Sequence, residues 1–167
     1  ELYADLELIY SSGADVATSG EFPKTAPANK PIIGIFAPHG RNPVLADALK
    51  RIGLAERTGR GIDRIYEGSL LFGRLLPDYS ESTERLVKLF IPKSLPDKAF
   101  VKMITEEQKK SGHSLSIHYL LVLNSLKTNH RSTVMEIADE INSDSTRVKV
   151  AVESLVEMGL VEAKGTG

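Results

Sequence analysis

The sequence contains no cysteine. That absence excludes a disulfide framework, a thiolate metal or redox site and a cysteine nucleophile, and it fits a reducing compartment. Charge of one sign is lacking too: 21 Lys+Arg stand against 22 Asp+Glu, a formal net charge of −1. A broadly basic nucleic-acid surface is thereby excluded, and any contact with phosphate has to come from local clustering. Long hydrophobic runs are also missing. No uninterrupted apolar stretch approaches the roughly 18–20 residues of a membrane span, and no signal peptide opens the chain. The expected location is cytoplasmic, with no membrane partner.

Familiar catalytic signatures are missing as well. His39, His113, His118 and His130 are dispersed, with no His-x-x-x-His pair at metal spacing. There is no Gly-x-Ser-x-Gly nucleophile elbow and no Gly-x-x-x-x-Gly-Lys-Ser/Thr phosphate loop. No metal and no catalytic residue are therefore expected. What is present is ordinary globular composition: 167 residues, 41% hydrophobic and 26% charged, the size of one full domain or two small ones. The first residue is Glu1 rather than Met, so the chain is expected to be a piece of a longer protein.

Along the chain, Leu6 to Tyr10 reads as a strand, with Val16 to Thr18 as a candidate hairpin partner. Residues 23–40 carry Pro23, Pro27, Pro31 and Pro38, too many for an interior strand or helix. The apolar Ile32 to Phe36 within them is expected to be core or an interface strand. Asn42-Pro43 is a helix start, Asn as N-cap and Pro at the first position. Leu45, Leu49 and Ile52 follow at helical spacing before Gly53. A second helix begins around Thr58-Gly59-Arg60-Gly61 and ends before Gly73. Leu86 to Ile91 reads as a strand stopped by Pro92.

From about residue 96 a connecting helix is expected to reach Lys110, with Phe100, Met103 and Ile104 inward and Glu106-Glu107 in its solvated end. Ser111-Gly112 breaks it. Three helical patterns then follow, marked by Ile117, Leu120, Leu121 and Leu123, by Val134, Ile137, Ala138 and Ile141, and by Val148, Ala151, Val152 and Leu155. Ser132 is the expected N-cap of the second, with Glu136 near the capping-box position. Gly159 to Ala163 reads as a closing strand. Helix, short polar turn, helix, with a support helix before and a strand after, is the order of a winged helix-turn-helix. The stretch Thr133 to Val161 resembles the winged helix of many bacterial transcriptional regulators.

If the third helix buries Val148, Ala151, Val152 and Leu155, then Ser145, Thr146, Arg147, Lys149 and Val150 point outward near its N-terminus. That end of a recognition helix meets base edges. Arg147 can be bidentate to guanine, while Thr146, Lys149 and Arg131 suit phosphates. DNA is the expected partner. Against this, residues 113–167 hold five Lys+Arg and seven Asp+Glu, a net of −2, so dimerisation or protein docking stays open as the role of this module.

A second basic element lies earlier. Residues 41–64 hold six Lys+Arg against three Asp+Glu, a net of +3. Glycines at a helix N-terminus admit an anion to backbone amides and to the positive helix end. Arg41, Arg57, Gly59, Arg60 and Gly61 are the phosphate or nucleotide candidates. The runs Arg41 to Leu49, Ile52 to Glu56 and Thr58 to Ile65 resemble the divergent histidine-kinase-like ATPase domain, also labelled RecG C-terminal-like. That domain occurs in transcriptional regulators that carry a Schlafen-AlbA-type DNA-binding domain first and often a winged helix last.

The resemblance covers about residues 5–92 and is carried by residues 41–65. It implies a fold class of α+β: a partial kinase-like ATPase-type α/β sandwich over 1–95, the connecting helix over 96–112 and a winged helix-turn-helix over 113–167. It implies a DNA-binding transcriptional regulator, of which this chain is a C-terminal fragment. The alternatives are a subunit of a nucleotide-dependent, helicase-like enzyme and a non-catalytic dimerisation or assembly module. The family's magnesium-holding Asn helix would precede Glu1, so ATP and magnesium are expected only with that region and no cofactor is expected for this chain alone.

Overall fold

A computed structural model describes residues 6–11, 43–54, 60–82 and 86–164. The Val16 to Thr18 hairpin partner, the 23–40 connection with Ile32 to Phe36, and the Asn42 cap lie outside the described residues. The described chain is α+β with helices predominating: β1 (Leu6–Ser11), α1 (Pro43–Arg51), α2 (Arg60–Leu71), β2 (Leu86–Ile91), α3 (Lys98–Ser111), α4 (Ile117–Asn129), α5 (Val134–Glu140) and α6 (Ser145–Glu157). It divides into two compact units. One comprises Glu1–Ser69 with Arg74–Leu95, the other Leu70–Gly73 with Pro96–Gly167.

In the first unit β1 pairs antiparallel with β2, Leu6 opposite Ile91 and Ser11 opposite Leu86. The described partner of β1 is thus a strand far along the chain, and a turn near Ser11 has no part in that pairing. On its other edge β2 takes a short antiparallel bridge, in which Asp78 and Phe90 exchange both backbone bonds at 2.9 Å. The Ser82 hydroxyl holds Lys88 from both sides, accepting from its N–H at 3.0 Å and donating to its carbonyl at 3.1 Å. Tyr66 of α2 and Tyr79 are both buried, with ring centroids 6.3 Å apart at a tilt of 39°.

In the second unit α4, α5 and α6 pack pairwise on one another. Leu120, Leu121, Val122 and Leu123 of α4 meet Ile137, Ala138 and Ile141 and the Val148, Ala151, Leu155 stripe of α6, all buried. Helix α3 is capped by Asp97, whose carboxylate accepts from the Phe100 N–H at 3.0 Å. The same carboxylate lies 3.6 Å from the Lys127 ammonium, and that ammonium sits 4.6 Å from the Phe100 ring centroid. One lysine thereby ties the end of α4 to the start of α3. Gly73 stacks on the same start: its carbonyl accepts from the Asp97 N–H at 2.8 Å. A Cβ on Gly73 would stand 2.7 Å from Val101 Cγ2 and 2.8 Å from the Asp97 carbonyl oxygen, and its φ is +63°. Only glycine meets both demands.

Three expectations are corrected here. Thr133, not Ser132, caps α5: its hydroxyl accepts from the Glu136 N–H at 3.3 Å and the Glu136 carboxylate accepts from the Thr133 N–H at 2.7 Å. Only Thr133 has Glu at the third position after it, so only Thr133 closes a reciprocal box. Glu107 is buried rather than solvated. It falls one stripe further along from Phe100 and Ile104, at i, i+4 and i+7, and its carboxylate lies 3.5 Å from the Lys110 ammonium. Residues 159–164 form no strand. The Gly159 N–H bonds to the Val156 carbonyl at 2.9 Å and the Leu160 N–H to the Leu155 carbonyl at 3.0 Å, with Gly159 at φ +75°. These groups close a Schellman stop on α6.

Candidate nucleic-acid interface

The α5–α6 connection is short because both helix ends are satisfied within it. Asn142 takes a left-handed φ of +52°, a conformation Asn tolerates better than most side chains. Its N–H bonds to the Asp139 carbonyl at 3.3 Å, and the Ser143 N–H to the Ala138 carbonyl at 2.9 Å, which ends α5. Asp144 starts α6 at once, its carboxylate accepting from the N–H groups of Thr146 at 2.8 Å and Arg147 at 3.3 Å. The Thr146 amide, then the Arg147 amide, hold the Asp144 carboxyl below its ordinary value of 3.8. In the same way the backbone bond from Thr133 lowers Glu136 below 4.5.

A polar node steadies this corner. The buried Ser125 hydroxyl of α4 donates to the Glu140 carboxylate at 2.6 Å, and the Asn129 amide donates to the same oxygen at 2.7 Å. Glu140 is the last residue of α5, so α4 holds the end of α5 where the turn to α6 begins.

The outward side of α6 carries the residues named from sequence. Thr146, Arg147, Lys149 and Val150 are exposed and Ser145 is half-buried. Arg131 is exposed on the connection between α4 and α5. The structure thus places four candidates, Ser145, Thr146, Arg147 and Lys149, on the first turns of one helix, and Arg131 on a separate connection of the same unit. Two features went unread in the sequence. Glu153 faces Lys149 at 3.9 Å, a pairing that the i, i+4 spacing announces. The role of Glu140 had no local signal, because its partners come from α4.

The phosphate candidates fare differently. Arg41, Arg57 and Gly59 lie outside the described residues, as does the side chain of Arg60, which opens α2. Gly61 is exposed in the first turn of α2, and a Cβ there would meet nothing within 4 Å. Among the described residues, no group of three His, Asp or Glu side chains could hold a metal ion, and no helix is long and apolar enough to cross a membrane.

Comparison with known proteins bears mainly on the first unit. Residues 9–90 match the family described as "Putative ATP-dependent DNA helicase recG C-terminal". That segment of the chain is similar to a RecG C-terminal-like, ATPase-family domain, and α3 to α6 fall beyond it. No curated protein matches the chain. Among solved structures, the DIP2311 protein from Corynebacterium diphtheriae is similar in fold, with a TM-score of 0.63 at 20% identity over 90% of this chain. The chain spans 29% of that protein's length.

Proposed function

We propose that the chain is part of a DNA-binding transcriptional regulator, in which α4, α5 and α6 form a helix-turn-helix of the winged type and α6 enters the major groove. One observation carries this reading: a tightly capped α5–α6 pair, backed by α4, leaves Thr146, Arg147 and Lys149 on the side of α6 that the core does not use. In this arrangement Arg147 reads guanine through its bidentate fork. Thr146, Lys149 and Arg131 meet phosphates, and Ser145 approaches the backbone at the helix N-terminus. The reading rests on the helices, since the segment after α6 supplies no described strand. The first unit, taken as the C-terminal part of a kinase-like α/β sandwich, serves as scaffold, dimerisation or effector platform.

Fluorescence anisotropy with a labelled duplex tests this. The two phosphate-facing cations, Lys149 and Arg131, imply a log–log salt slope of about −2. Arg147→Ala and Lys149→Ala together should weaken binding at least about tenfold, the loss of one bidentate contact or more. Equal binding by parent and double variant would sink the assignment.

The second reading, a nucleotide-dependent nucleic-acid enzyme, is favoured by the wording of the family that residues 9–90 match. Its candidate residues are Arg41, Arg57, Gly59, Arg60 and Gly61. Titration of the full-length protein with ATP and magnesium in a calorimeter tests it, and absence of heat at millimolar nucleotide removes it.

A further inference from the structure

On α6, Thr146, Val150, Glu153 and Glu157 follow one another at i, i+4, i+7 and i+11, and all four are exposed. They form the stripe opposite the buried Val148, Ala151 and Leu155. Arg147 and Lys149 stand on its two flanks. Val150 is therefore an apolar side chain at the centre of a face otherwise made of hydroxyl, cation and carboxylate, and it is 55% exposed. The fold has little use for valine there. A solvated helix position favours Ala, Glu or Lys, and valine is a weaker helix former than any of them. What valine does offer is rigidity: in a helix it holds essentially one χ1 rotamer, so its two methyl groups stand in fixed positions.

Resting on the reading of α6 as the groove-facing helix, we infer that Val150 is a specificity-determining residue that packs against the C5-methyl group of thymine. The thymine methyl is the apolar feature that unmodified DNA presents in the major groove. Arg147 lies three residues before Val150, about 4.5 Å along the helix axis. The thymine therefore falls within one or two base pairs of the guanine that Arg147 reads. Glu153 and Glu157, next on the stripe, repel phosphate and confine the reading to the first two turns of α6. This makes the ligand duplex DNA rather than duplex RNA, whose uracil lacks the methyl and whose deep, narrow major groove does not admit a helix.

The test begins with selection of binding sites by this chain from a pool of random duplex DNA. The enriched duplex is then remade with deoxyuridine replacing each thymidine in turn, and binding is measured for the parent, Val150→Ala and Arg147→Ala. Because Val150 is exposed, its replacement by alanine leaves the fold intact. The parent is expected to lose about fourfold in affinity at one deoxyuridine position, the worth of one buried methyl group, and Val150→Ala to show no loss there. If the parent ignores every deoxyuridine, or Val150→Ala keeps the penalty, the assignment of Val150 is overturned while DNA binding by α6 stands. If no duplex is enriched, or Arg147→Ala binds the enriched duplex as the parent does, the reading of α6 fails and the role of Val150 with it. Self-association in sedimentation that Val150→Ala abolishes would make this face a docking surface for a second copy and would also overturn the proposal.

Discussion

Helices α4 and α6 are each 13 residues long and belong to the same unit, yet they are built on opposite plans. Helix α4 buries Leu120, Leu121, Val122, Leu123 and Ser125, which lie on all sides of the helix. Helix α6 buries Val148, Ala151 and Leu155, a single stripe. A helix that is apolar all round has no face left for a ligand, whereas a one-stripe helix keeps the rest of its surface for one. Their starts differ too. Ser116 gives α4 no side-chain cap, while Asp144 gives α6 two amide bonds. The helix held by packing does without a strong cap, and the one held on a single face is fastened at its end.

This contrast can be broken most forcefully in the core. Leu120→Ala on α4 should cost about 3 kcal/mol, the usual range for a leucine truncated in a sealed core. Val148→Ala on α6 removes less side chain and should cost about half as much. Urea denaturation would check the ranking, and equal losses would mean that α4 is not the post on which the unit is built.

A smaller effect is expected at the cap. Asp144→Ala should lower Tm by a few degrees, whereas Asp144→Asn should stay near the parent at pH 7, since asparagine caps as well. The acid limb sharpens this comparison. Asp97, Glu136 and Asp144 are all held below their ordinary values, chiefly by backbone amides. A lowered carboxyl stabilises the folded chain above its unfolded value and loses that contribution as the pH falls through its folded value. Stability should therefore decline below about pH 4, the range of unfolded carboxyls, and less steeply in Asp144→Asn. Thermal melts from pH 2 to 7 would show it.

The smallest effect belongs to the outward stripe. Thr146→Ala and Val150→Ala should each change stability by less than about 0.5 kcal/mol. A larger loss in melts of either variant would show that the fold uses this face itself.

Much of the second unit was legible because its signals are short-range. The α3 pattern Phe100, Ile104 and the α6 pattern Val148, Ala151, Leu155 name their own buried stripes. The same arithmetic extended by one step reaches Glu107, whose chemistry argued for solvent while its spacing argued for burial. On the outward side of α6, Thr146, Arg147 and Lys149 follow from subtracting the buried stripe. Arg131 suits a phosphate by its charge and its place just before the second helix of the module, and it is exposed on that α4–α5 connection. The glycine-flanked start of α2 was legible as a resemblance, and its phosphate candidates Arg41, Arg57 and Gly59 lie outside the described residues.

Sequence by itself determined where the helices lie and where they stop, because caps and Schellman bonds join groups only two to five residues apart. Asp97, Asp144, Gly112 and Gly159 act within that reach. Tertiary structure alone decided the pairings made at a distance. It paired β1 with β2, turned Glu140 toward Ser125 and Asn129, set Lys127 over Phe100, and left residues 159–164 out of any ladder. A strand exists only when a second backbone offers it bonds, and Glu140 meets Ser125 and Asn129 only because α4 packs beside α5. Those partners are fixed by the folded arrangement, not by the nearest residues.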